Sequence, residues 1–429
     1  MNMKRIIVFS SAVILLCFRS AFFCAGQVAG TPVQLDSCIS LACRNYPQIS
    51  EYDLIDAAEK YDIANAALSW VPQISVSGKA SWQSEVVEMP FDMKEFRFDI
   101  PHDQYGFTAD ISQPIWDGGS SASRRELAVK GAEVKRRQLE VNLYSIRSKV
   151  QSIYLGVILL DKQLELNKLL SSSLERSLEE TAALLDGGLA CISDLDQIRV
   201  KLLDCRQQRT SLETDRKSYV RMLSLLTGTE LADASFAEPQ PRLADAEDSS
   251  ITRPELRLYD AQLAQVEAQR RQLNTTFQPR LNLNLQAGYG RPGLNMLSGQ
   301  FDPYFVAGLK LQWNFGALCT LGNDRRKTAT DAARIELSRR SFLLNTSVEA
   351  EQKRSELAKA ADVLAQDDRI IELRQSIQEA ARTRYREGVI KMNDYLGFLD
   401  DEFKARVNRN LHRVQYIKAL LDLEDTLGK

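Results

Sequence analysis

Beyond residue 18 the sequence has no apolar run near the roughly 18 residues that a membrane-spanning helix needs, so any bilayer crossing falls to strands. It has two histidines, His102 and His412. Its seven cysteines, Cys17, Cys24, Cys38, Cys43, Cys191, Cys205 and Cys319, form no CxxC pair and no metal-ligand spacing. No metal or other cofactor is expected. Nucleophile elbow, phosphate loop and GxGxxG are all missing, and "DGG" and "LDGG" are turn glycines, so the chain is not expected to be an enzyme. A net charge of −2 over 429 residues leaves no basic excess for nucleic acid.

What is present begins with "MNMKRIIVFSSAVILLCFRSAFFCAG", where Lys4 and Arg5 precede an apolar run from Ile6 to Phe18 and small residues follow near Ala25. Residues 1–26 read as a secretory signal peptide; the run is too short for an anchor, and Arg19 interrupts it. Cys24 offers the alternative of an acylated N-terminal cysteine, against which the bulky Phe23 stands. Cys38 and Cys43 lie five apart on an expected helix and point to different faces, so a bond between them would distort it.

The rest of the chain repeats itself. "LSWVPQISVSGKASW" (68–82) is echoed by "TTFQPRLNLNLQAGY" (275–289), each a helix end, a proline (Pro72, Pro279) and an alternating strand. "YGFTADISQPIWDGG" (105–119) is echoed by "YFVAGLKLQWNFGAL" (304–318). Each half then has a very long helical stretch that ends at a glycine, Gly188 or Gly388, and a second helix. The expected division is a first repeat over 27–227, a linker rich in proline and acids over 228–250, and a second repeat over 251–429.

Four strands follow from period-2 alternation. Ile74, Val76, Ala80 and Trp82 share one apolar face, as do Phe107, Ala109, Ile111 and Ile115, which only Gln113 spoils. Leu281, Leu283, Leu285, Ala287 and Tyr289 form the third, and Phe305 to Phe315 the fourth. Each is about the length of a tilted membrane strand. A soluble sandwich strand alternates in the same way. Four strands cannot close a cylinder, and open edges are not tolerated in hydrocarbon, so membrane strands require several chains to share one barrel.

From Leu139 the apolar residues step through Leu143, Ile146, Val150, Ile153, Val157, Leu160 and Leu164, a coiled-coil seam that passes Asn167 and Ser171 and resumes at Leu174, Leu178 and Leu185. A helix over residues 119–187 is on the order of 100 Å long, wider than a compact domain. The second long stretch, 321–387, has a weaker seam and many charges, most of them on a solvated face.

In "VQLDSCISLACRNYPQI", "PQISVSG", "PRLNLNL", "SQPIWDGG", "TRPELRLYDAQLAQVEAQ" and the glycine turns, taken in their duplicated order, the chain resembles the TolC-type outer membrane channel family of drug efflux and type I secretion. The pieces cover almost the whole mature chain. The resemblance implies an α+β membrane protein and a homotrimer. Its twelve-stranded outer membrane β-barrel, four strands per chain, continues into a periplasmic α-helical coiled-coil barrel. Loops 85–104 and 291–303 would face outside, and the glycine turns would form the periplasmic tip. It also implies a passive duct serving a periplasmic adaptor protein and an inner membrane pump of the RND or ABC type, seated in outer membrane lipid, with no nucleic acid.

At the tip, Asp394 matches the family's constriction acid, Asp194 the locking acid, and Tyr385 the tyrosine that bonds to that lock. Gly397 and Ile390 stand where the family has a second acid and an arginine, although Lys391 is adjacent. Asp194 and Asp394 are equally placed to cap the helices after the turns, and the two roles can coexist. An exported soluble coiled-coil scaffold or surface adhesin is the alternative function; it explains the seam and the signal peptide but not four bilayer-length strands.

Overall fold

The computed structural model describes residues 32–86, 101–188, 190–240, 250–296 and 299–429. The expected signal peptide and parts of loop 85–104 and linker 228–250 lie outside the described residues. In chain order come α1 (Leu35–Asn45), a 3-10 turn (Pro47–Ser50), α2 (Glu51–Leu68), β1 (Gln73–Trp82) and β2 (Asp103–Trp116). Then follow α3 (Ser120–Asp186), α4 (Ile192–Thr227), α5 (Pro254–Thr275), β3 (Arg280–Arg291), β4 (Asp302–Gln312), α6 (Ala317–Arg386) and α7 (Met392–Leu427).

The strands form one antiparallel sheet in the order β1-β2-β3-β4, so the two hairpins of the sequence repeat are joined by pairing of β2 with β3. Register carries one character across all four strands. Ile74, Ile111, Leu285 and Ala307 line up in one row, and Val76, Ala109, Ala287 and Phe305 in another, giving a continuous apolar face. Ser75, Asp110 and Gln286 line up on the opposite face, where Ser77 bonds Thr108 at 2.7 Å and Ser112 donates to Asn284 at 2.9 Å. A single-residue slip in any strand would mix the faces.

Two details differ from strict alternation. A bulge between Pro114 and Trp116 sets Trp116 opposite Leu281, on the apolar face that alternation alone assigns to Ile115. Pro114 lacks a ladder N–H, which favours the irregularity there. And β4 ends at Gln312, so Trp313 and Phe315, expected within the fourth strand, sit in the turn after it. There their rings stack at 4.8 Å, and Trp313 Nε1 donates to Phe277 O at 2.8 Å. Gln113, the polar intruder on the apolar face, donates to Trp70 O at 2.8 Å, which ties the strand to the end of α2.

Aromatic side chains bound the apolar face at both ends: Trp116 and Trp313 near the helices, and Trp82, Tyr105 and Tyr289 with the stacked Phe301 and His102 at the far end. Along β2 that span is roughly 25–30 Å once the strand is tilted, the height of a membrane barrel's apolar band.

Each strand continues into a helix. α2 ends at Leu68 and α5 at Thr275; a four-residue break closed by Pro72 or Pro279 then delivers the chain to β1 or β3. β2 enters α3 through Gly118 and Gly119, both at positive φ (68° and 82°). Asp117 accepts the Gly119 N–H (2.9 Å) and the Ser121 N–H (2.7 Å), capping α3 from two residues upstream. Beneath the sheet α2 packs on α3, α3 on α5 and α5 on α6, so the helices stand in the order of their strands. Farther down, α4 packs on α3, α3 on α7 and α7 on α6.

α3 runs 67 residues and α6 70, each about 100 Å of continuous helix. The α3 seam is buried at Leu139, Leu143, Ile146, Val150 and Val157, whereas Ile153, Leu160 and Leu164 are only half-buried. It widens where Tyr154, Leu155 and Ile158 are buried too, because α1, α4 and α7 converge on α3 at that level in the main core. A parallel bridge between Val33 and Phe236 crosses there, and the Tyr154 hydroxyl lies 2.6 Å from both Val33 O and Ala237 O. Cys38 and Cys43 are both free on α1.

Candidate functional site

The end of the molecule remote from the sheet is built by two helix hairpins, α3–α4 and α6–α7. Both turn on a glycine at φ 75°, Gly188 and Gly388. In the second, the Gly388 N–H returns to Tyr385 O (2.9 Å) and the Val389 N–H to Arg384 O (2.9 Å), a Schellman closure that leaves few carbonyls unsatisfied at the helix end. In the first, the Gly188 N–H returns to Leu185 O at 2.9 Å.

The tip has its own core. Leu174, Ile198, Leu202 and Cys205 from the first hairpin meet Ala381, Met392, Tyr395, Leu396 and Leu399 from the second. Tyr395 stacks on Tyr385 (5.8 Å), and its hydroxyl lies 3.3 Å from Gln378 Nε2 and 3.4 Å from Ser177 Oγ.

The residues singled out by resemblance fall within this end but do not form the expected bonds. Asp194 is the third residue of α4, and its carboxylate accepts the Cys191 N–H at 3.0 Å, closing a capping box. The Tyr385 hydroxyl is buried without a hydrogen bond of good geometry. Burial pushes its phenol up; Thr181 beside it offsets part of this, and the Asp194 charge adds to it. Capping is therefore the role Asp194 performs within one chain, because a short carboxylate one turn into a helix reaches its own N-cap before it reaches a neighbour.

Asp394 occupies the corresponding place in α7 but is exposed, with no carboxylate partner among the described residues. Gly397 is exposed with open space around it, and Ile390 packs against the tip core, so neither position carries a charge.

A clamp that the sequence did not reveal joins the two repeats. Glu180 on α3 accepts hydrogen bonds from Arg382 and Arg386, one turn apart on α6; Arg386 lies at 2.9 Å. Partial burial of Glu180 opposes ionisation, but the two guanidiniums outweigh it and hold the carboxyl below the ordinary glutamate range. Lys201 of α4 reaches Asp400 of α7 at 2.5 Å in a second cross-link. The i, i+4 arginines are visible in "RTRYR", but nothing in the sequence indicates an acid 202 residues away.

A four-strand sheet with one lipid-type face is continued strand by strand into helices some 100 Å long. Residues 38–229 match the model of a family described as outer membrane efflux protein.

Across its length the chain has the fold of solved outer membrane channels. The CmeC channel of Campylobacter jejuni superposes with a TM-score of 0.62 at 16% identity, covering 92% of this chain and 85% of that one. VceC of Vibrio cholerae gives 0.61 at 13% identity, over 92% and 96%. The MtrE channel of Neisseria gonorrhoeae, in its open state, gives 0.56 at 15% identity, over 92% and 88%. No curated protein sequence matches the chain.

Proposed function

We propose that three copies of this chain form a passive exit duct, in an efflux or type I secretion assembly, gated at the tip. Substrates would enter from a periplasmic adaptor and an inner membrane pump of the RND or ABC type. The observation that carries this reading is the pair of free sheet edges. β1 and β4 each have one unpaired side among the described residues, while the apolar face between them suits hydrocarbon. Hydrocarbon forbids an open edge, and pairing β4 of one copy with β1 of the next closes twelve strands.

The helices below support the same closure. α2 carries Leu54, Ala57, Tyr61, Ala64 and Leu68 at alternating spacings of three and four, and Leu54, Tyr61 and Leu68 are 68%, 70% and 56% exposed. α6 exposes Leu337, Leu344 and Val348, then Ile370, Leu373 and Ile377. Near the tip, α4 exposes Val200 and Leu203 at about the height of Leu373 and Ile377. These stripes stand on the two outer edges of the helix row, where a neighbouring copy would cover them. A soluble scaffold has no use for the apolar sheet face.

In such an assembly the exposed Asp394 carboxylates of three copies would ring the tip and favour cations. Energy must come from the pump, since the sequence carries no nucleotide-binding loop. The test is extraction in detergent followed by single-channel recording. A detergent-dependent trimer with cation-preferring conductance is expected, and Asp394→Ala should raise conductance and weaken the preference. A water-soluble monomer without channel activity would overturn the duct. Unchanged conductance and selectivity in Asp394→Ala would remove that acid from the gate.

A further inference from the structure

The polar face of the sheet is interrupted along one strand. Val306 stands in the row of Ser75, Asp110 and Gln286, and Tyr304 in the row of Ser77, Thr108 and Gly288. Away from the bulge at Pro114, these are the only apolar or aromatic side chains that the register puts on that face among the described residues. Val306 is 41% exposed there. The next residue of the face along β4 is Gly308, where a β-carbon would meet nothing within 4 Å, so packing gives no reason for a glycine. At Gly288 it does, because the Tyr304 ring lies across the place of its side chain. A glycine inside a strand weakens it, and one with open space above it keeps room for a group that approaches the backbone closely.

Gly308 floors a hollow of about 440 Å³ on this face. Val306 lines one side, and Ser112, Asn284 and Gln286 line the other, with Asp110 in the outer row and Lys310 in the inner one. One acid and one base leave the hollow without net charge, and its hydroxyl and carboxamides both donate and accept hydrogen bonds. Tyr304 stands one row outward of Val306, so ring, branched side chain and bare backbone follow one another over about 13 Å of β4. Apolar surface with a few placed hydrogen-bonding groups is the make-up of a small-molecule site. In the duct the polar face is the bore wall, reached only along the bore. The strip is one strand wide, about 5 Å, narrower than a helix of about 10 Å, so its occupant is a small molecule in transit and not a folded partner.

We propose that Tyr304, Val306 and Gly308, repeated in each copy, form a contact track in the bore for small, flat, ring-bearing cargo with hydrogen-bonding substituents. The ring of the cargo lies along the strip and over Gly308, and its substituents meet Asn284 and Gln286. This rests on the duct reading above. The track selects by shape and apolar surface and is independent of charge, unlike the acids of the tip.

The test is single-channel current noise with N-acetyltryptophanamide, a neutral ring-bearing probe, added from the extracellular side so that it reaches the barrel without crossing the tip. Wild type should show excess noise that saturates with probe concentration, and N-acetylglycinamide, which has no ring, should show none. The double variant Val306→Ser/Gly308→Gln changes only exposed positions and should keep the trimer, yet raise the half-saturating concentration by about tenfold. Tyr304→Leu, which still covers Gly288 but has no ring, should also raise it, whereas Tyr304→Phe should leave it unchanged. An equal half-saturating concentration in wild type, the double variant and Tyr304→Leu would overturn the track while the duct stands, as would a conducting wild type without probe-dependent noise. Absence of any current from the wild-type trimer would overturn the duct and the track with it.

Discussion

Glycines and carboxylates at the ends of helices decide where this chain turns. Gly118 is held at φ 68°, and a β-carbon there would stand 2.5 Å from Gln278 Cβ, so backbone and packing both exclude a side chain. Gly388 has φ 75° but open space around it. Gly388→Ala should therefore cost only about 1 kcal/mol, and Gly118→Ala clearly more, because strand and helix must part to admit it. Thermal unfolding of the two variants in detergent checks the order.

Glu180 makes a pH prediction with a definite sign. Its carboxyl is held below the ordinary range, so the clamp's contribution is complete above the unfolded value and is lost as pH falls through the depressed folded value. Conductance should be flat near neutrality and rise in acid, below about pH 4. Glu180→Gln should raise it at neutral pH and flatten the acid response. Single-channel recording across pH measures both, and an unchanged profile in Glu180→Gln would exclude the clamp from the gate.

At the scale of elements, long helices whose sequences are mostly polar are fixed at a few levels rather than everywhere. α6 buries only Leu321, Thr346, Ala350, Asp367 and Ala381 within one chain. α3 is anchored more firmly, above all where Tyr154 reaches the backbone carbonyls of Val33 and Ala237 and meets Phe236 edge-on at 5.6 Å. One hydroxyl proton serves two carbonyls that bring the first segment and the linker onto the same helix. Tyr154→Phe keeps the ring and removes that proton. It should cost about 1–2 kcal/mol and speed proteolytic cleavage in 228–250, with the tip unaffected. Limited proteolysis followed by mass spectrometry checks the site of the first cut.

In the proposed duct a single chain is only part of the molecule. Among the described residues the sheet has two open edges, and the helix row ends in bare apolar stripes on α2 and α6 directly below them. Leu344 is 65% exposed on α6, so Leu344→Glu should leave the chain folded, since it buries no charge within one copy. In the proposed trimer the same glutamate would be desolvated without a partner. Full secondary structure by circular dichroism together with loss of the trimer on size exclusion is the expected outcome. A wild-type trimer would place Leu344 outside the seam.

Much of this architecture was legible without coordinates, since the signals are local and periodic. Alternation in 73–82 and 280–291 marks strands, the 3–4 stepping from Leu139 marks α3, and the duplicated proline and glycine signals mark where elements end. Repetition strengthened each assignment by making it twice. The bulge at Pro114 was hidden, because register depends on the partner strand, and it moves Trp116 to the apolar face. The tip was hidden for the same reason: Glu180 meets Arg382 and Arg386 across a full repeat, whereas Asp194 spends its carboxylate on its own helix. The sequence by itself determined the elements, their lengths and their order, because backbone preference and hydrophobic periodicity act over a few residues. Only the tertiary structure decided which charges pair, which stay free and which edges remain open, because those outcomes depend on side chains that meet across hundreds of residues of chain.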